Sequence, residues 1–226
     1  MARGSLGRDA IVAEAFALLA DRGLPGLTAR ALAERLGVRA GALYYHLPDM
    51  RALLDEMATD QLRAMRADPV DQGDWEALLR SSADRMRAVL GRHRDGARVF
   101  AGSRITDPRV IEGTEGPLAV LVGAGLPLDR AMWTLQTMQA WVTGFMIEEQ
   151  HRRDEEPEAY RSEVRRAALD RAVAPLTVAA TEALLADADA RFTWGVGLLV
   201  EGVRQALRDQ PRPTSDRASA APGSTA

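Results

Sequence analysis

TARALAERLGVRAGALYYH, residues 28–46, reads as two short helices and the turn between them. Thr28 is a helix-capping residue, Leu32 and Leu36 fall one turn apart on one face, and Gly37 supplies the backbone freedom needed to leave a helix. Val38 anchors the turn. A second helix from about Arg39 to His46 carries Leu43 as its one large apolar side chain, directed back at the first helix, so its remaining residues are free to face outward. Two helices joined by a tight glycine-containing turn can lay the second in a major groove while the first crosses the backbone. The stretch therefore predicts a sequence-specific DNA-binding regulator.

Working outward, apolar spacing is helical nearly throughout, and no alternating strand pattern bounded by turn signals occurs. The fold class expected is all-α: an N-terminal three-helix helix-turn-helix domain plus a larger helical domain. A first helix spans about Gly7 to Arg22, with Ile11, Ala15, Leu18 and Leu19 on one side, and stops at Gly23 before Pro25-Gly26. Pro48 is placed at the first position of a fourth helix, whose stripe of Leu53, Leu54, Met57, Leu62 and Met65 runs to about Ala67. Asp68-Pro69 and Gly73 then divide head from body.

The expected organisation is a DNA-binding head over 1–50, a linking helix over 51–67, a body over 68–209, and a disordered tail over 210–226 that is poor in large apolar groups. Body helices are expected near 74–91, 95–103, 108–124, 128–151, 162–186 and 188–208. Residues 152–161 form a charged loop, and Pro175 breaks or kinks the helix started at 162.

Composition narrows the function classes. A chain of 226 residues can bury a sizeable core. With no cysteine there is neither a disulfide framework nor a thiolate metal site. No stretch approaches the roughly 20 apolar residues of a membrane helix, so a cytoplasmic protein without a membrane partner is expected. The net charge of −3 is unevenly spread: residues 1–51 hold seven Arg and five acids, a net +2, and the rest carries −5. Lysine is absent, which removes Schiff-base chemistry and the Walker A phosphate loop.

The stretch LTARALAERLGVRAGALYYHLPDMRALLDEM, residues 27–57, resembles the N-terminal signature of the TetR family of bacterial transcriptional regulators. In the body, HRDGARVFAGSR (His93 to Arg104) and the run from Thr143-Gly144-Phe145 to Glu148-Glu149-Gln150 are similar, more weakly, to the tetracycline-repressor branch. The resemblance implies a homodimer that binds a palindromic operator in double-stranded DNA and releases it when a small-molecule effector enters the body. It also implies a dimer interface built as a four-helix bundle from the helices near 128–151 and 188–208.

By match to that motif, Thr28 and Tyr44 stand as phosphate contacts, Arg30 as a base-edge reader, and Tyr45 and His46 as further backbone contacts. The chemistry agrees, because arginine forks onto guanine whereas hydroxyls and imidazoles donate to phosphate oxygens. Thr28 is also readable as a plain helix cap, and either tyrosine ring as part of the head's core. Ala40, Gly41 and Ala42 stand where tetracycline repressors have polar groups, and Met50 where they have a lysine, so the operator should differ. Ala40 and Ala42 are candidates for thymine-methyl contact, with Arg39 and Arg30 supplying hydrogen bonds. Arg51 is either a phosphate contact or a solvated charge.

For the effector, Ser82, Met86, Phe100, Ser103, Arg104, Met138, Trp141 and Phe145 are the candidate ligand-binding residues, rich in the aromatic and thioether groups of adaptable pockets. Arg104 and Ser103 are candidates to grip an acidic or carbonyl group, Arg104 being equally readable as half of an ion pair. One edge of the helix from 128 to 151 is expected to line the pocket, and the other, with Ala140 and Gly144, to enter the dimer bundle. The resemblance places Phe100 where the family has a magnesium-ligating histidine, and Ala140 where it has a second pocket histidine. Phenylalanine offers no lone pair, so no metal and no cofactor are expected, and the effector should be more apolar than a magnesium chelate.

Rival readings are an architectural DNA binder without an effector, a transcriptional activator, and an enzyme. Against an enzyme, the three histidines (His46, His93, His151) lack metal-ligand spacing, and no nucleophile elbow or phosphate loop occurs.

Overall fold

The computed structural model describes residues 7–67, 74–154, 167–185 and 187–209, and every regular element within them is an α-helix. The expected tail over 210–226, the head–body junction at 68–73, most of the charged loop and the start of the helix expected from 162 fall outside the described residues. Among the described residues no single helix is long and apolar enough to cross a membrane.

The head consists of α1 (Arg8–Gly26), α2 (Ala29–Arg35) and α3 (Ala40–His46). Ile11, Ala15, Leu18 and Leu19 are all buried, as their spacing predicts. Gly23 does interrupt α1, at φ +67°, but the chain resumes one more helical turn through Pro25 before it leaves at Leu27. Thr28 caps α2, its Oγ1 accepting from the Ala31 N–H at 3.2 Å. Gly37 turns in the left-handed region at φ +66°, and Leu43 packs back against Leu32 in the head's core, as expected.

α4 (Met50–Met65) begins later than Pro48. Asp49 is the cap, its carboxylate accepting the Ala52 N–H at 2.7 Å, and a charge-assisted cap outweighs proline's preset φ as a start signal. The helix then spans two cores. Leu53 and Met57 complete the head, whereas Ala58 and Leu62 belong to the body.

The body is built on α5 (Trp75–Gly91) and α9 (Leu128–Asp154), with α11 (Ala188–Arg208) packed on both. Between them lie α6 (Gly96–Phe100), α7 (Pro108–Glu112), α8 (Glu115–Gly123) and, later, α10 (Pro175–Leu185). The helix expected over 95–103 is cut short because the chain turns extended at Ala101 and left-handed at Gly102 (φ +71°). The one expected over 108–124 is two helices, broken at Gly113-Thr114. Of the two outcomes expected at Pro175 the break is the one seen: Pro175 opens α10, which suits a residue with no N–H to donate.

Head and body meet at α6. Buried Asp95, itself left-handed at φ +55°, accepts the Leu24 N–H at 2.8 Å, which satisfies a donor freed by the interruption of α1. Val99 is buried in the head's core, and its neighbour Phe100 in the body's. Gln150 on α9 secures the start of α6: its Oε1 accepts from the Ala97 N–H at 3.1 Å, and its Nε2 donates to the carbonyls of Leu90 (2.8 Å) and His93 (3.1 Å). Gln61 on α4 donates to the Gly96 carbonyl at 3.0 Å.

His93 stacks on Phe16 across the same joint, ring centroids 4.5 Å apart. Burial, reinforced by the Arg92 charge, holds its imidazole below the ordinary 6.5. As pH falls below 6.5, the unfolded chain takes up a proton here that the folded chain resists, so this part of the stability is full above that pH and lost on acidification. Denaturant unfolding between about pH 5 and 7 should show this decline, and His93→Phe should flatten it. An unchanged slope in the variant would assign the dependence to other groups.

Candidate nucleic-acid interface and effector cavity

The outer face of the head carries what a major-groove reader needs. Tyr45 is 87% exposed and Tyr44 50%, so neither ring is sealed into the core, although Tyr44 borders it beside Leu43 and Leu47. The Tyr45 ring meets the edge of His46 at 5.2 Å, and the two present a hydroxyl and an imidazole at the end of α3. At its other end Arg39 occupies the cap position, followed by exposed Ala40 and half-buried Ala42. Arg30 stands exposed in the first turn of α2.

The head's cations differ in availability. Arg35 is committed to Glu14 and Asp21, and Arg8 pairs with Glu56 at 3.1 Å. Arg30 and Arg39 have no ion-pair partner among the described residues, which leaves both guanidinium groups open to an external acceptor. Arg51, a candidate phosphate contact, instead turns toward the body: its Nη2 donates to the Gly102 carbonyl and its Nε lies 3.2 Å from Asp55.

Asp55 explains where Arg104 goes as well. Its buried carboxylate accepts the Arg104 backbone N–H at 2.9 Å and lies 3.6 Å from Arg104 Nε, while the Arg104 side chain is 81% exposed. The arginine expected to grip an effector is thus held at the joint by a desolvated carboxylate that needs positive partners. A further clasp joins the Thr106 N–H to Thr59 Oγ1 at 3.1 Å, so the segment after α6 is tied along α4.

Behind that segment lies a cavity of about 400 Å³. Leu62, Phe100, Ser103 and Ile105 form one wall; Gln139, Ala140, Thr143, Gly144 and Ile147, one face of α9, form the other. The edge of α9 that lines this cavity is thus the one with the small residues. Ala140 and Gly144 face the cavity, where their lack of bulk leaves the space. Trp141 and Phe145 instead turn onto Phe192 of α11, each at 5.3 Å, with Phe192 fully buried. Of the candidate ligand residues, Phe100 and Ser103 line this cavity. Met138 lines a second one of about 280 Å³ beside Trp133 and Leu198. Met86 is core, and Ser82 is half-buried on α5.

Gln139, Thr143 and Ile147 escaped the sequence reading, although their spacing of four marks one helical face beside two small residues. Among the described residues no three His, Asp or Glu side chains are placed to hold a metal ion.

Residues 11–57 match the family described as bacterial regulatory proteins, tetR family, and residues 69–207 match the tetracyclin repressor-like C-terminal domain. The chain belongs to the TetR family. Tetracycline repressor protein class C of Escherichia coli is 39% identical to it over 147 residues, covering 64% of this chain and 67% of that one. A solved structure of a possible TetR family transcriptional regulator from Streptomyces coelicolor A3(2) superposes with a TM-score of 0.78 at 32% identity, covering 88% of this chain and 99% of that one. A single-residue variant of TetR from Acinetobacter baumannii AYE, in complex with minocycline, gives 0.70 at 32% identity, covering 89% and 98%. This TetR-family chain is accordingly a ligand-responsive transcriptional repressor with a helix-turn-helix head.

Proposed function

We propose that this repressor acts in the cytoplasm as a homodimer without catalytic activity, reads a palindromic operator with Arg30 and Arg39, and positions itself on phosphates through Thr28, Tyr44, Tyr45 and His46. The observation that carries this reading is the exposure, within the two motif helices and their turn, of two tyrosines and of two arginines that have no ion-pair partner among the described residues. Arg51 belongs to the joint in this account, since its guanidinium is already engaged by Asp55 and Gly102.

Exposed Trp133, Trp194 and Leu198, on α9 and α11, supply an apolar face for the second copy. A symmetric pair bonded there would present its two recognition helices to successive major grooves, about 34–36 Å apart.

Release follows from the arrangement of α6. Its consecutive residues Val99 and Phe100 are packed in different cores, and Phe100 also lines the cavity against α9. An effector that binds better to a shifted α6 must therefore move the head's core with it, through α4, which spans both cores. The effector is largely apolar and needs no magnesium, because no carboxylate or imidazole lines the cavity to hold one.

Selection of bound DNA fragments by the purified protein, with sedimentation to read the assembly, tests the account. Palindromic fragments bound by two copies are expected, and a compound screen should find molecules that release them. Gly144→Trp, which fills the cavity, should remove that response. Binding without sequence preference, or release that survives Gly144→Trp, would overturn it.

A further inference from the structure

The cavity between the segment after α6 and α9 is chemically one-sided. Eleven residues line it and none is charged. Its fixed polar groups are the hydroxyls of Ser103 and Thr143, and each has already spent its single proton: Ser103 Oγ donates to the Val99 carbonyl at 2.6 Å, and Thr143 Oγ1 to the Gln139 carbonyl at 2.8 Å. What both present to a ligand is lone pairs. The remaining polar side chain, Gln139, is an amide that can donate or accept, and the rest of the wall is the Phe100 ring with Leu62, Ile105 and Ile147.

We propose that the effector is a neutral hydroxylated aromatic molecule that donates hydrogen bonds to Ser103 Oγ and Thr143 Oγ1 while its ring lies against Phe100. This rests on the cavity being the effector site. A carboxylate or phosphate is disfavoured, because it would leave water for walls without a cation and would meet two oxygens that can only accept. An ether or hydrocarbon of the same shape fits the space but leaves both hydroxyl oxygens desolvated and unpaired. A site with committed acceptors discriminates against the analogue lacking a donor more sharply than apolar packing discriminates by size.

Three probes of nearly one shape separate the possibilities in calorimetric titrations of the full-length protein: 1-naphthol, 1-methoxynaphthalene and 1-naphthoate. The expected order is 1-naphthol tightest, 1-methoxynaphthalene weaker by about tenfold or more, and 1-naphthoate without measurable heat. In Ser103→Ala and Thr143→Val the gap between the first two should narrow through weaker binding of 1-naphthol. Equal affinity of 1-naphthol and 1-methoxynaphthalene overturns the proposal, as does the absence of heat with all three. Tighter binding of 1-naphthoate also overturns it and moves recognition to a cation outside the cavity wall. Binding of 1-naphthol that persists undiminished in Gly144→Trp instead overturns the cavity as the effector site.

Discussion

Replacing Arg30 with alanine should weaken operator binding by about 30-fold to 10⁴-fold while leaving the melting temperature unchanged. A good arginine contact to a base edge is worth roughly 1–3 kcal/mol, and a symmetric dimer loses it twice, for a total of about 2–6 kcal/mol. Stability is spared because Arg30 is exposed and has no ion-pair partner among the described residues of the protomer. The loss should concentrate at one position in each half-site, where the preferred base is no longer distinguished. Tyr45→Phe should behave differently. Removing a phosphate-directed hydroxyl weakens all sequences alike and leaves the salt dependence unaltered, since a neutral donor displaces no counterions. Titrations of wild type and both variants against the selected operator and single-base variants of it, at several salt concentrations, would check this. An Arg30→Ala protein with wild-type affinity and base preference would mean that another face of the head meets DNA.

The second large effect lies in the scaffold. Gly195→Ala should destabilise the protein by about 3 kcal/mol, at the upper end of what overpacking costs, and lower its melting temperature by roughly 6–12 °C. A Cβ at Gly195 would overlap Trp141 Cζ2 and stand within 3 Å of two further atoms of that ring. The indole cannot swing aside freely, because Phe145 and Phe192 flank it at 5.5 and 5.3 Å. The substitution therefore separates α11 from α9 or distorts both. Since Trp194 and Leu198 on α11 are the exposed apolar residues assigned to the second copy, sedimentation should show weaker self-association beside the lower melting temperature. A variant that melts like wild type would show that this contact relaxes without cost.

Both expectations draw on parts of the molecule that the sequence reveals to different degrees. The two motif helices are written locally: a cap at Thr28, a left-handed glycine at Gly37 and a single inward leucine at Leu43 are decided by residues within a turn or two of one another. The exposure of Tyr44 and Tyr45 follows from the same pattern, since a helix of seven residues with one large buried side chain has little else to hide. Local signals mislead only where two compete, as Asp49 and Pro48 do at the start of α4, or where a break has no strong marker, as at Gly113-Thr114.

The joint is different in kind. Gln150 serves carbonyls and an N–H some 53 to 60 residues away, Gln61 reaches Gly96 across 35, and Asp55 gathers Arg104 from 49 positions on. None of these pairings leaves a trace in spacing, because a buried polar side chain is satisfied by whatever backbone tertiary packing brings to it. The same holds for Arg104, whose sequence context suits a ligand grip but whose partner is a carboxylate on another helix.

Amino-acid order alone determined that the described residues are helical, that residues 28–46 form two helices joined at a glycine turn, and which side chains the second of them exposes. Caps, turns and apolar periodicity act over a few residues and need no distant partner. Tertiary structure alone decided that Val99 and Phe100 join two cores, that Ala140 and Gly144 line a cavity while Trp141 and Phe145 pack on Phe192, and that Arg51 and Arg104 serve the joint. Periodicity shows which face of a helix is apolar, but the neighbour against which that face is buried is chosen by close packing of the whole.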